Sequence, residues 1–271
     1  MHVIHRFLLL KCEEIVSNPS APILDYGCGN GEMVTEGRNR GLNIYGVEAF
    51  CRGSKSREVV EAKGLLGDEI KELIGGRIPF PDHYFELVLS NQVLEHVSDM
   101  DAVLKEIDRV LVPGGIFMSL FPSREVMREG HCGIPFVHWF AKTCRVRYHY
   151  MLVLRSLGLG YFTENKSRTQ WTLEMLDWLD KYTVYRPYSE IWQSFSGYFP
   201  TVLHIEDEYL AYRLRDGNLP NLATLVKCPI FNCLATWLYT KLGGLALLAK
   251  SRQASHAASI FDCNKQNPPS L

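Results

Sequence analysis

Ile23-Leu24-Asp25-Tyr26-Gly27-Cys28-Gly29-Asn30-Gly31 is a short apolar run that ends in an acid and three alternating glycines. An apolar run bounded by Gly reads as a buried strand, and the residues from Glu32 onward read as the start of a helix. Glycines at such a junction permit positive φ and let a ligand lie directly on the backbone. Strand, glycine loop and helix in that order open a doubly wound sheet that binds a nucleotide. A dinucleotide fingerprint needs a third Gly where Glu32 stands, and Glu32 would face a pyrophosphate with like charge. No Lys-Ser or Lys-Thr follows the glycines, which excludes a P-loop.

Asp25 just ahead of the loop suits a ligand that carries positive charge. S-adenosylmethionine, with its sulfonium and ammonium groups, is such a ligand. The loop resembles the first motif of the class I S-adenosylmethionine-dependent methyltransferases, an acid-x-Gly-x-Gly-x-Gly pattern. The resemblance continues through Ile78-Pro79-Phe80-Pro81-Asp82 and on to Asn91-Gln92-Val93-Leu94-Glu95-His96-Val97. It ends with Leu104-Lys105-Glu106-Ile107-Asp108-Arg109-Val110-Leu111-Val112-Pro113-Gly114-Gly115. These are similar, in order and spacing, to the motifs of the ubiquinone/menaquinone-type methyltransferase domain, over roughly residues 20–122.

The resemblance implies an α/β fold: a Rossmann-like, doubly wound, mostly parallel seven-stranded sheet with an antiparallel last strand and a helical insertion. Pattern and turn residues predict a helix over 6–16, a strand over 22–26, a helix over 32–40 and a strand over 43–48. Further on they predict a helix over 54–63, a weakly patterned segment over 64–76, a strand over 84–90, a helix over 99–111 and a strand over 116–121. Long helices are expected at 134–157 and 172–196, so that 124–198 reads as a helical cap inserted over the carboxyl end of the sheet. Strands at 201–205 and 244–249 complete a methyltransferase domain over 1–251, with the last strands in 199–250. The stretch 252–271, rich in Gln, Ser, Asn and Pro, reads as a disordered tail.

Ligands of such sheets lie beyond the carboxyl ends of the strands. The resemblance assigns cofactor contacts to Asp25, Gly27, Cys28, Gly29, Asn30 and Gly31. Glu48, at the end of the second strand, suits the ribose hydroxyls. Asp68 is the candidate for the adenine amino group, although it stands farther upstream than the family's acid, and a backbone contact near Gly76 serves equally. Asn91 and Gln92 are placed to set polarised oxygens beside the sulfonium.

A second cluster, Arg128-Glu129-Gly130-His131-Cys132-Gly133-Ile134-Pro135-Phe136-Val137-His138-Trp139, follows the fifth strand. His131 is the candidate general base, because an imidazole titrates near neutral pH. His96, Glu129 and His138 are candidate acceptor contacts, and a purely structural use of these histidines stays open. No third ligand at a recognised spacing accompanies His131 and His138, so no metal is expected. Lys142, Arg145, Arg147, His149 and Arg155 form either a solvated helix face or a site for an anionic acceptor.

Composition narrows the partners. The chain of 271 residues has a net charge of −1, and no overall field favours nucleic acid. Residues 1–123 hold 12 Lys/Arg against 18 Asp/Glu, whereas 124–252 hold 16 against 11. The eight cysteines make no C-x-x-C pair and no leader is apparent, which points to a reducing cytoplasm. Lys227, Pro229, Asn232 and Lys241 interrupt the apolar stretch 222–249, which reads as a helix and a core strand, with a peripheral membrane contact as the weaker alternative. The expected activity is methyl transfer from S-adenosylmethionine to a small molecule, first of all to a hydroxyl. A protein or RNA methyltransferase and a non-catalytic cofactor-binding subunit are the competing readings.

Overall fold

The strand Ile23–Tyr26 (β1) is buried along its whole length, as an apolar run without alternation requires when helices cover both faces of a sheet. The computed structural model describes residues 1–51 and 54–253. The proposed tail from residue 254 onward lies outside the described residues. β1 pairs in parallel with Ile44–Glu48 (β2) on one side and with Phe85–Asn91 (β4) on the other. Ile70–Glu72 (β3) adds to the outer edge of β2. Beyond β4 lie Leu111–Phe121 (β5), then Leu245–Lys250 (β7), then Thr201–His204 (β6). The order is β3-β2-β1-β4-β5-β7-β6, and β7 runs antiparallel to both of its neighbours. The expected seven-stranded doubly wound sheet is therefore present. Strand order reverses between β1 and β4, which makes the glycine loop after β1 the switch point where a crevice opens.

Helices Val3–Ile15 (α1) and Glu32–Asn39 (α2) cover one face, where Phe7, Leu8, Leu9 and Met33 meet Ile23, Leu87 and Leu89. Ser56–Ala62 (α3) places Val60 against Ile70 and Cys28. On the other face Met100–Val110 (α4) buries Met100, Val103, Leu104, Ile107 and Val110, a three-and-four spacing that forms one apolar stripe. Asp99 caps α4 by accepting a hydrogen bond from the Ala102 N–H at 2.9 Å.

The region 124–198 departs from two long helices. Pro135 and the left-handed Phe136 (φ 56°) allow only a 3-10 turn at Val137–Trp139, before Arg145–Ser156 (α5) begins. The apolar residues at helical spacing there serve a folded loop, with the Phe136 N–H donating to the Met127 carbonyl at 2.7 Å. The second expected helix is two, Arg168–Tyr182 (α6) and Tyr188–Tyr198 (α7). Pro187 keeps Arg186 out of the helical region and enforces the break. α5 and α6 share a small core around Met151, Trp171 and Leu179. α7 instead packs Ile191 and Phe195 with α4 against the sheet, so only the part before it stands apart as a cap.

β3 falls in the stretch that had no readable pattern, because three residues on an edge are defined by their partner strand. After β6 come Glu206–Asp216 (α8), Pro220–Lys227 (α9) and Pro229–Leu242 (α10), where the sequence suggested a single helix. α9 and α10 meet at Pro229 with a bend of 105°, and no single described helix is long and apolar enough to cross a membrane. Leu222, Leu225, Ile230, Phe231, Leu234 and Trp237 on this pair are exposed rather than packed into a core.

Candidate active site

The glycine loop shows why three glycines stand in alternation. Gly27, Gly29 and Gly31 all have positive φ, at 78°, 54° and 70°. A Cβ on Gly27 would lie 2.4 Å from Val93 Cγ2, and one on Gly31 would lie 2.5 Å from Ile70 Cδ1. A Cβ on Gly29 would meet nothing within 4 Å. Two glycines therefore serve packing, and the third faces the open crevice. Glu48 steadies that arrangement, accepting from the Gly29 N–H through Oε2 at 2.8 Å and from the Ala49 N–H through Oε1 at 3.0 Å.

The crevice is a cleft of about 180 Å³ whose walls include Asp25, Gly27, Gly29, Asn30 and Asn91. Burial, reinforced by the nearby charge of Glu48, pushes the Asp25 carboxyl up to about 7. An ammonium group in the cleft would relieve that cost. Asn91 Oδ1 is buried without a hydrogen-bond partner, an acceptor left for something in the cleft. Open space above Gly29, an unrelieved carboxyl and an orphaned amide oxygen fit a cationic amino-acid moiety such as the methionine part of S-adenosylmethionine.

Not every expected residue reaches this cleft. Cys28 lines it, but its thiol turns inward to pack with Val34, Val60 and Ile70. Gln92, at φ 55°, turns back toward β5, its N–H donating to the Leu120 carbonyl at 2.8 Å. Asp68 is exposed in the turn before β3 and does not line the cleft. His5 of α1 does line it, with Nδ1 3.5 Å from Glu32 Oε2. Nothing in the sequence marked His5, because only the packing of α1 against α2 brings it there.

The second cluster assembles as a polar chamber from three segments: the 3-10 turn Leu94–His96, the loop after β5, and the break between α6 and α7. Glu129 is fully buried and accepts from His131 Nδ1 at 2.7 Å, from the Tyr185 hydroxyl at 2.5 Å and from the Cys132 N–H at 2.5 Å. Burial alone would raise the Glu129 carboxyl, but the hydrogen bonds from His131 and Tyr185 reverse this and hold it at about 2. Burial likewise opposes the charged form of His131, yet the bond and charge of Glu129 raise the imidazole above its ordinary value.

His96 and His131 stand with ring centres 5.0 Å apart, and Trp178 lies 5.0 Å from the His131 ring. The His138 ring packs 4.6 Å from Tyr185, and burial lowers its pKa. Glu95 is also buried, neither of its oxygens has a hydrogen-bond partner, and burial pushes it up to about 7. The structure thus brings His96, Glu129, His131 and His138 together and adds Glu95, Tyr185 and Trp178. Tyr185 and Trp178 carried no signal in the sequence, since Trp178 lies in α6 and Tyr185 in the break after it, both distant along the chain.

Two members of the basic cluster serve the fold, while Arg145 and His149 are exposed. Arg147 is buried in an ion pair with Asp180, and Lys142 donates to the carbonyls of Asp180 at 2.6 Å and Thr183 at 3.1 Å. Arg147 is thus taken up inside the protein, while Lys142 ties the end of α6 down from the surface. Arg186 pins the chamber's segments to one another, its guanidinium donating to the carbonyls of Leu94 at 3.3 Å, Val97 at 2.8 Å and Ser98 at 2.7 Å. Arg186→Met should lower stability in urea unfolding by about 3 kcal/mol, since hydrogen bonds to charged groups are worth about 1.5–3 kcal/mol each and are not additive. An unchanged unfolding midpoint would show that those carbonyls do not depend on it.

Residues 24–119 match the sequence family described as a methyltransferase domain. A sterol 24-C-methyltransferase of Gibberella zeae is 36% identical over 107 residues, which cover 36% of this chain and 27% of that protein. A ubiquinone biosynthesis O-methyltransferase of Brucella ovis is 25% identical over 126 residues, 44% of this chain and 51% of that one. The matches thus span about half or less of the relatives' own length. A solved methyltransferase from Mesorhizobium loti aligns over 92% of this chain and 98% of its own, at 17% identity and a TM-score of 0.49. Residues 24–119, about a third of the chain, are thus similar to the methyltransferase domain of S-adenosylmethionine-dependent enzymes.

Proposed function

We propose that the protein transfers the methyl group of S-adenosylmethionine to a hydroxyl of a small-molecule acceptor bound at the Glu129–His131 chamber. The observation that carries this reading is continuity along the loop after β4. Asn91 lines the cofactor cleft, and Glu95 and His96, a few residues on, line the chamber. S-adenosylmethionine supplies an activated methyl group. Asp25 and Asn91 would face its methionine part, Gly29 would pass beneath it, and Glu48 would accept its ribose hydroxyls. The protein's part is to align the acceptor and to favour loss of its proton. His131, fixed by Glu129, is the group on which that ionisation depends.

The Brucella relative is by its name an O-methyltransferase and the Gibberella relative a C-methyltransferase, so the chemistry of the chamber decides between oxygen and carbon. Hydrogen-bonding and titratable side chains crowd it, which suits a hydroxyl. The loop that carries His131 also borders a groove of about 490 Å³ lined by Arg124, Glu125, Met127, Trp139, Trp237 and Lys241. Aromatic walls with charged residues beside them favour an amphipathic acceptor, such as a lipid-linked or phenolic one. Screening sugars, glycolipid precursors and phenols for transfer of a labelled methyl tests the reading. A methylated carbon or nitrogen in the product would overturn it.

Glu48 gives a second test. Glu48→Ala should weaken S-adenosylhomocysteine by about 10- to 150-fold, the equivalent of about 1.5–3 kcal/mol for hydrogen bonds to a charged group. An analogue without ribose hydroxyls should bind both proteins alike. A strong difference with that analogue would confine Glu48 to its contact with the Gly29 N–H.

A further inference from the structure

We infer that Glu95, His96 and His131 bind a divalent transition-metal cation. One donor atom of each lies within 4.8 Å of the other two, and His96 Nε2 is 4.0 Å from Glu95 Oε1. Three independent features of the chamber point to a cation.

The first is Glu95, a carboxylate 1% exposed with no hydrogen-bond partner for either oxygen. Buried carboxylates are normally hydrogen-bonded or paired, and this one is aimed at two imidazoles. The second is the orientation of those imidazoles. His131 Nδ1 donates to the buried Glu129 carboxylate at 2.7 Å, and His96 Nδ1 donates to the Tyr182 carbonyl at 2.6 Å. Each ring therefore keeps Nε2 as its unprotonated nitrogen, and a carboxylate or carbonyl behind a histidine is the usual support of a metal ligand.

The third is access. The His131 and His96 side chains remain 25% and 33% exposed, while Glu95 is closed off. The set has a buried anion at its base and an open side for further ligands. Zinc-to-nitrogen and zinc-to-oxygen lengths of about 2.0–2.2 Å place donors roughly 3.3 Å apart, which small side-chain rotations from the present separations supply. Two imidazoles and one carboxylate suit Zn²⁺, Mn²⁺ or Fe²⁺, and Mg²⁺ and Ca²⁺ prefer all-oxygen sets.

The sequence concealed this site because its ligands come from two loops with no metal spacing between them. The cation's use in methyl transfer rests on the acceptor lying in the chamber, as proposed above; its binding does not. An acceptor oxygen on the open side would be polarised by the ion, and His131 would then promote ionisation through the ion rather than by contact with the proton.

The test is titration of chelator-stripped full-length protein with Zn²⁺ by calorimetry and with Co²⁺ by visible absorption, without methyl donor or acceptor. One equivalent should bind, and the Co²⁺ form should show d–d bands without thiolate charge transfer, which excludes the free cysteines as ligands. Glu95→Gln, which keeps the shape of the side chain, should abolish the bands. Glu129→Gln should weaken binding by about 10- to 100-fold, the usual effect of losing the group behind a histidine ligand. Failure of the wild type to bind one equivalent, a thiolate band, or bands that survive Glu95→Gln would overturn the site. Failure of methyl transfer alongside intact metal binding would count against the proposed function and leave the cation site standing.

Discussion

His131→Ala is expected to leave S-adenosylhomocysteine affinity unchanged while slowing methyl transfer by about 10²–10⁴-fold, the usual worth of assisted proton removal, whether by the ring or by an ion that the ring holds. The two halves of that expectation come from separate places in the fold. The cofactor cleft is walled by α1, the loop after β1, the start of α2 and the end of β4, and none of its walls is His131. In the chamber, His131 has its ring fixed by Glu129 and its face covered by Trp178, an orientation that a free surface histidine lacks. The loss should shrink at high pH, where the acceptor hydroxyl ionises without help. Glu129→Gln should give a smaller loss in the same direction, because the ring keeps its hydrogen-bond partner but loses the charge behind it. Steady-state rates across pH, with cofactor affinity measured by calorimetry, decide the matter. Wild-type turnover by His131→Ala at every pH would reduce the residue to a structural part.

Replacing Gly29 should abolish cofactor binding without unfolding the protein, whereas replacing Gly27 should unfold it. At Gly29 the added side chain enters the open crevice, and the cost to the fold is the left-handed backbone, about 1–3 kcal/mol. Gly29→Val should therefore give a cooperative thermal transition at a lower temperature and no measurable heat with S-adenosylhomocysteine. At Gly27 the new Cβ would sit 2.4 Å from Val93 Cγ2 and 2.9 Å from its Cγ1, both on a stiff β-branched side chain, and the left-handed backbone adds its own strain. Gly27→Val should thus show no cooperative transition at all. Full affinity in Gly29→Val would mean that the cofactor lies elsewhere.

What the sequence revealed and what it hid follow one physical division. β1, the glycine loop, α2 and Glu48 are local features, in which spacing and residue type determine conformation, and each stands where the pattern put it. Gln92 shares the motif with Asn91, yet its left-handed backbone turns it toward Leu120, a consequence of how β4 meets β5. Asp68, suggested by the family's acid ahead of the Ile-Pro-Phe motif, lies before β3 rather than beyond it. The helical periods at 134–157 and 172–196 were real apolar spacings, overridden by Pro135 and Pro187. The chamber was half legible: Glu129, His131 and His138 share one segment, and His96 sits in a motif. Tyr185 and Trp178 join them only through tertiary contacts spanning some fifty residues. His5 was out of reach for the same reason.

The Arg186 clamp has an implication for how such enzymes can be recombined. Its partners are main-chain carbonyls at Leu94, Val97 and Ser98, so the attachment of the α6–α7 break to the core does not depend on which side chains stand at those three positions. A graft that moves residues 124–198 as a block onto another core of this sheet order would carry its own fastener with it, provided that the turn after β4 keeps its course. The cofactor-binding part and the proposed acceptor-binding part would then behave as exchangeable cartridges, fastened by this guanidinium together with the Val184 N–H to Glu95 carbonyl bond and the packing of α7 on α4, and readable separately, the first by nucleoside affinity and the second by product.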